Sequence, residues 1–217
     1  MILSHEHEFI FVKTHKTAGT SVEIALSAVC GPDDVITPVA PEDEEQRSAL
    51  GFRGPQNTHV DGVLRYYNHM SARTIRSLVG EDVWKRYYKF CFERNPWDKV
   101  ISSYYWEFQS EPRPTLAEFL RSNKARAASS FQLYSHEGAV LVDRVCLYED
   151  MARELEALRQ RLELPQLPEL PRAKSRFRAD RRHYSEVLGP EEQEAVAQLF
   201  AREIALLHYR FEPAVSR

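Results

Sequence analysis

Phe9-Ile10-Phe11-Val12-Lys13-Thr14-His15-Lys16-Thr17-Ala18-Gly19-Thr20-Ser21 is the stretch that decides the fold. Its first four residues are aromatic or branched aliphatic, the composition of a buried strand. Small polar residues with one glycine follow, and Val22-Glu23-Ile24-Ala25-Leu26 then has helix-compatible spacing. Strand, small-residue loop and helix together set free backbone N–H groups and a helix N-terminus against an anion. Lys16 adds a cation, Thr17, Thr20 and Ser21 add hydroxyl donors, and Gly19 lets the backbone approach a ligand. The chemistry implied is binding of phosphate or a similar tetrahedral anion. This is not a Walker A loop, in which Lys directly follows the last Gly. Taken alone, the stretch also reads as a helix start with a solvated Lys.

A second strand–loop–helix unit lies downstream. Tyr87-Tyr88-Lys89-Phe90-Cys91-Phe92 reads as a strand and runs into Glu93-Arg94-Asn95-Pro96-Trp97. Pro96 suits a first helical position and opens a helix through Tyr105. Arg94 at the strand end and Ser102 on that helix are placed to grip one phosphate from two sides. Ligands in open α/β sheets collect at the carboxyl ends of strands, so both units address one ligand with two separated phosphates. His69 falls between them, just before a helix with Ser71 as its N-cap. A third strand covers Asp143–Tyr148, followed by a helix over Met151–Leu162. The last helix opens at Gly189-Pro190-Glu191, with Val196, Leu199, Phe200, Ile204 and Leu207 as its apolar stripe. Strands separated by helices, without hairpin signals, predict an α/β domain with a central parallel sheet flanked by helices. Met1–Glu8 reads as a polar lead-in. Residues 30–57, with their prolines and acidic run, read as a surface loop or lid with one short helix near Asp43–Leu50.

The 217 residues suit a single domain over 1–217, and 43% hydrophobic with 28% charged residues marks a globular chain. A net charge of −3 argues against nucleic-acid binding. Positive charge is nevertheless gathered in 172–182, which holds Arg172, Lys174, Arg176, Arg178, Arg181 and Arg182, and such a patch suits a small anionic ligand. Cys30, Cys91 and Cys146 are widely spaced and show no metal-ligand pattern, so no metal is expected. His5 and His7 read as inert surface histidines. The chain has no apolar run of membrane-spanning length. The thiols and the excess of Arg over Lys suit a reduced, bacterial cytoplasmic enzyme, with the lumenal domain of an anchored enzyme as the alternative.

These motifs resemble those of the PAPS-dependent sulfotransferases (PAPS is 3′-phosphoadenosine 5′-phosphosulfate). Lys16–Ser21 is similar to the family's 5′-phosphosulfate loop. Arg94-Asn95-Pro96-Trp97-Asp98-Lys99-Val100-Ile101-Ser102-Ser103-Tyr104 resembles its 3′-phosphate motif. Tyr148-Glu149-Asp150 and the closing Tyr209-Arg210-Phe211 also match. His15 ahead of Lys16 makes the chain most similar to the carbohydrate branch, which includes the heparan and dermatan/chondroitin enzymes. The resemblance implies a nucleotide-binding fold of P-loop-like form, PAPS as co-substrate and a saccharide or glycan acceptor. It assigns Lys16 to the sulfate and the leaving 5′-phosphate, and Thr17, Ala18, Gly19, Thr20 and Ser21 to the phosphate cradle. Arg94 and Ser102 take the 3′-phosphate, and Lys174 and Arg178 close over the nucleotide.

Sulfuryl transfer to an alcohol calls for a base, and a histidine suits the role. The resemblance points to His69, with His59 as rival and Glu93 behind it. Tyr104, Tyr105, Trp106, Arg65 and Arg73 are candidates for lining a sugar site. Two other classes stay open at this stage: a P-loop-like ATP-dependent kinase, which lacks the Walker spacing here, and a non-catalytic module on the nucleotide-binding fold.

Overall fold

The computed structural model describes residues 1–171 and 180–214. The chain clusters into two compact units. One comprises Met1–Thr14, Ala18–Phe92 and Gln132–Ala173, and the other His15–Thr17, Glu93–Phe131 and Lys174–Arg217. The elements in chain order are β1 (Ile2–Ser4), β2 (Phe9–Phe11), α1 (Gly19–Ser27), β3 (Val35–Ile36), α2 (Pro41–Ala49), β4 (His59–Val60), β5 (Val63–Leu64), α3 (Ala72–Arg86) and β6 (Tyr88–Glu93). There follow α4 (Pro96–Glu107), α5 (Leu116–Leu120), α6 (Asn123–Ala127), α7 (Phe131–Tyr134), β7 (Ser135–His136), β8 (Ala139–Val140), β9 (Arg144–Leu147) and α8 (Met151–Arg161). The chain closes with α9 (Tyr184–Val187), α10 (Pro190–Leu199) and α11 (Ala201–Leu207).

The first unit is built on a five-stranded sheet in the order β3-β1-β2-β6-β9. Its central strand β2 runs parallel to β6, with Phe9 opposite Tyr88 and Phe11 opposite Phe90. Phe9, Phe11, Phe90 and Phe92 are fully buried, and each contributes about 1.5–3 kcal/mol of transfer free energy. They pack with Val22 and Leu26 of α1, Cys146 of β9 and Leu158 of α8. The α/β expectation therefore holds, with strands and helices where the two strong motifs place them.

Two expectations are corrected. Met1–Glu8 is no polar lead-in: Ile2–Ser4 forms a buried strand that turns back antiparallel onto β2, with Ile2 opposite Phe11. The polar run His5–Glu8 is only the turn of that hairpin. His5 bonds the Tyr87 hydroxyl at 2.7 Å, and His7 the Val29 carbonyl at 3.1 Å. Likewise, 30–57 is more than a surface loop. The short helix expected near Asp43–Leu50 is present as α2, with its Arg47 fully buried, and the segment also supplies β3, which pairs antiparallel with β1. Both strands are too short for a period to register in sequence, and β1 makes the sheet mixed rather than wholly parallel.

The second unit packs α4 against α5, α6, α9 and α10 through Trp97, Val100, Ile101, Phe119, Tyr184 and Phe200. Phe211 closes edge-on to Trp97, centroids 5.4 Å apart. The last helix is broken at Phe200, whose ψ of 25° separates α10 from α11. No helix among the described residues is long and apolar enough to cross a membrane.

Helix boundaries follow local chemistry. The Asn95 side chain accepts from the Trp97 and Asp98 amides, and Pro96 needs no donor partner at the first position of α4. The Ser71 hydroxyl caps α3 by accepting from the Thr74 amide at 3.2 Å. Gly80, at φ 80°, interrupts α3 in a conformation that favours glycine.

Gly19 has a different reason. A Cβ there would stand 2.8 Å from Cγ of Lys13, whose ammonium is fixed on Glu23 at 2.8 Å, so the Lys stem has little room to yield. Gly19→Ala should lower stability by about 1–3 kcal/mol. Gly54→Ala, with nothing within 4 Å of its Cβ, should leave it unchanged. Urea melts of the two variants check this, and equal midpoints would remove the packing argument.

Candidate active site

In the first unit the chain leaves β2 through Lys13 and Thr14. The Thr14 hydroxyl donates to the Phe92 carbonyl, tying the strand end to β6. Lys13 Nζ pairs with Glu23 Oε2 at 2.8 Å, and both side chains are buried. The other carboxylate oxygen meets the Met1 amine at 3.0 Å and accepts from the Thr37 hydroxyl at 2.8 Å. Burial pushes the Glu23 carboxyl up, but the Met1 ammonium and Lys13 outweigh it and hold the group below the ordinary carboxylate range. The pair thus clamps the start of the loop to the first turns of α1. Ala18 enters that helix in the left-handed region (φ 56°, ψ 23°), and no side chain caps the helix N-terminus. Gly19, Thr20 and Ser21 form its buried first turn.

His69 stands on the same clamp. Its Nδ1 lies 3.1 Å from the Lys13 carbonyl. A carbonyl only accepts, so Nδ1 carries the hydrogen, and in the neutral ring the lone pair resides on Nε2. The residue sits at φ 56°, a conformation uncommon outside glycine, immediately ahead of the Ser71 cap. His59 is exposed on the separate β4–β5 ribbon, where its Nδ1 meets the Thr58 hydroxyl at 3.1 Å.

The second unit holds the middle of the loop, His15–Thr17, and the Arg94 motif. Arg94 Nη1 donates to the Lys16 carbonyl at 3.1 Å. Arg94 Nε and Nη2 both bond Asp98 Oδ2, at 2.8 and 2.5 Å, which fixes the plane of the guanidinium. Lys16 sits at φ 58°, and its ammonium rests over the Trp106 ring, 4.6 Å from the centroid. Ser102 is half-buried on α4. Glu93 is sealed in: it pairs with the buried Lys99 ammonium and accepts from the Arg94 amide at 3.1 Å. Burial pushes its carboxyl up, against the opposing pull of Lys99.

Of the residues singled out in sequence, Lys16 and Arg94 are joined by a hydrogen bond, and His69 is fixed to the loop's starting residue. Lys174 and Arg178 lie outside the described residues. Among the sugar-site candidates, Tyr104 is packed on Phe108 and Phe119, while Trp106 faces Lys16. Sequence reasoning missed Lys13, which looks like the polar end of a strand, and Asp98, whose only signal is its four-residue offset from Arg94. The carbonyl contact predicts a defined histidine tautomer. Long-range proton–nitrogen correlation spectra at neutral pH should show His69 protonated at Nδ1 and bare at Nε2, and a dominant Nε2–H form would break the assignment.

Comparison with known proteins places the chain. No solved structure matches it. A relative in Archaeoglobus fulgidus, described as an uncharacterized protein, is 34% identical over 102 residues, covering 45% of this chain and 85% of its own length. The sequence matches the family described as "Sulfotransferase family" over residues 1–210, a range that takes in the clamp, the loop, His69 and the Arg94 motif. The chain belongs to the sulfotransferase family.

Proposed function

We propose that this sulfotransferase moves a sulfuryl group from PAPS to a hydroxyl, with a saccharide as acceptor. One observation carries the reading: Arg94, the first residue of the 3′-phosphate-like motif, holds the carbonyl of Lys16, the cation of the 5′-phosphosulfate-like loop. That bond joins one residue of each motif, 78 positions apart in sequence. A helix N-terminus without a side-chain cap, preceded by residues in the left-handed region, fits a bound phosphate group. The donor supplies an activated sulfur–oxygen bond to its 5′-phosphate.

Each residue has a distinct task in this reading. Thr17, Ala18, Gly19, Thr20 and Ser21 hold the 5′-phosphate by backbone N–H and hydroxyl groups. Arg94 and Ser102 hold the 3′-phosphate, with Asp98 keeping the guanidinium oriented. His69 Nε2 takes the proton of the attacking hydroxyl as the new oxygen–sulfur bond forms. Lys16 neutralises the charge that collects on the departing 5′-phosphate as its bond to sulfur breaks. Protonated His69 is stabilised by the Lys13 carbonyl it already touches. Lys174 and Arg178 complete the nucleotide's surroundings. The saccharide acceptor rests on the resemblance of Lys16 and its preceding His15 to the carbohydrate branch.

Titration calorimetry with 3′,5′-bisphosphoadenosine, the desulfated product, tests the donor. Binding that Arg94→Ala weakens about 30-fold or more is expected, whereas no binding by the wild type sinks the reading. His69→Ala should lower kcat by about 10²–10⁴-fold and spare nucleotide affinity. Retained turnover in a screen of sugar hydroxyls with labelled PAPS would move the role to His59.

A further inference from the structure

Lys16 has a backbone conformation that a lysine does not adopt cheaply. Its φ of 58° lies in the left-handed region, and such outliers persist where the surroundings over-determine them. Two hydrogen bonds bracket it. On the carboxyl side, Arg94 Nη1 donates to the Lys16 carbonyl at 3.1 Å. On the amino side, the His15 amide donates to the Ser130 hydroxyl at 2.9 Å, across 115 residues of sequence.

Ser130 is itself held from several directions. It is fully buried, and its oxygen also accepts from Lys99 Nζ at 3.0 Å. Lys99 is fully buried and paired with Glu93. On either side of Ser130, the buried Glu203 carboxylate accepts from the Ser129 hydroxyl and from the Phe131 amide at 3.3 Å. A buried ammonium is costly compared with an apolar side chain of similar volume, so its presence calls for a purpose beyond packing. Here the ammonium fixes a hydroxyl whose remaining acceptor capacity points at the loop backbone.

We propose that Ser130, oriented by Lys99, is a positioning residue that holds the His15–Lys16 backbone and so aims the Lys16 side chain. The inference rests on the reading of Lys16 as the residue that meets the 5′-phosphosulfate. Ser130 touches neither nucleotide nor acceptor in this scheme and acts through the His15 amide alone.

The test pairs two nucleotides with one ligand-free measurement. In Ser130→Ala, affinity for 3′,5′-bisphosphoadenosine should fall about tenfold, while affinity for adenosine 3′-phosphate, which lacks the 5′ group, stays within about twofold. Hydrogen exchange at the His15 amide should accelerate about tenfold, with the core amides of Phe11 and Phe90 unchanged. Equal losses for both nucleotides would mean general loosening and would overturn the proposal, as would unaltered exchange at His15. Should the wild type bind neither nucleotide, the reading of Lys16 fails, and the exchange result still decides whether Ser130 holds the loop. Ser130→Cys, close in size but a far weaker acceptor, stands in if the alanine variant does not fold.

Discussion

The ion pair between Lys13 and Glu23 is the constraint on which the first unit depends. It joins the end of β2 to α1 across the loop, with both charges removed from water. Charges so placed are retained only when matched, and the Met1 amine and the Thr37 hydroxyl complete the set around the carboxylate. Two features follow from it. The Lys13 stem lies where a side chain at position 19 would stand, so that position is glycine. The Lys13 carbonyl, fixed by the same clamp, accepts from His69 and selects its tautomer.

The second unit spends its charged side chains on backbone and hydroxyl groups in a comparable way. Asp98 locks the Arg94 guanidinium, which then reaches the Lys16 carbonyl. Glu93 anchors Lys99, which reaches Ser130. The helix that carries Asp98, Lys99 and Ser102 is held in turn by Trp97, packed on Tyr184 and Phe211. Orientation passes from the aromatic core to α4 and from α4 to the loop. The Lys16 ammonium rests over the Trp106 face, a contact of about 0.5–2 kcal/mol that is weak enough to be exchanged for an anion.

Much of this was legible in sequence where the signal is local. The run Phe9–Val12, the small-residue loop and the following helix are read from neighbouring residues, as are the Ser71 cap and the Pro96 helix start. The short strands Ile2–Ser4 and Val35–Ile36 were not legible, because two or three residues carry no period. The break at Phe200 was hidden for a related reason: its apolar spacing continues smoothly across α10 and α11 while the backbone does not.

By itself the sequence determined the order of two strand–loop–helix units, the residue types at their anion-facing ends, and through them the resemblance to the family. Tertiary structure alone decided which groups hold those residues in place. Ser130 belongs to no motif and meets His15 only because folding closes 115 residues between them. The His69 tautomer depends on a carbonyl 56 residues away. Hydrogen bonds of this range depend on where backbones meet in space, and local residue patterns do not encode that meeting.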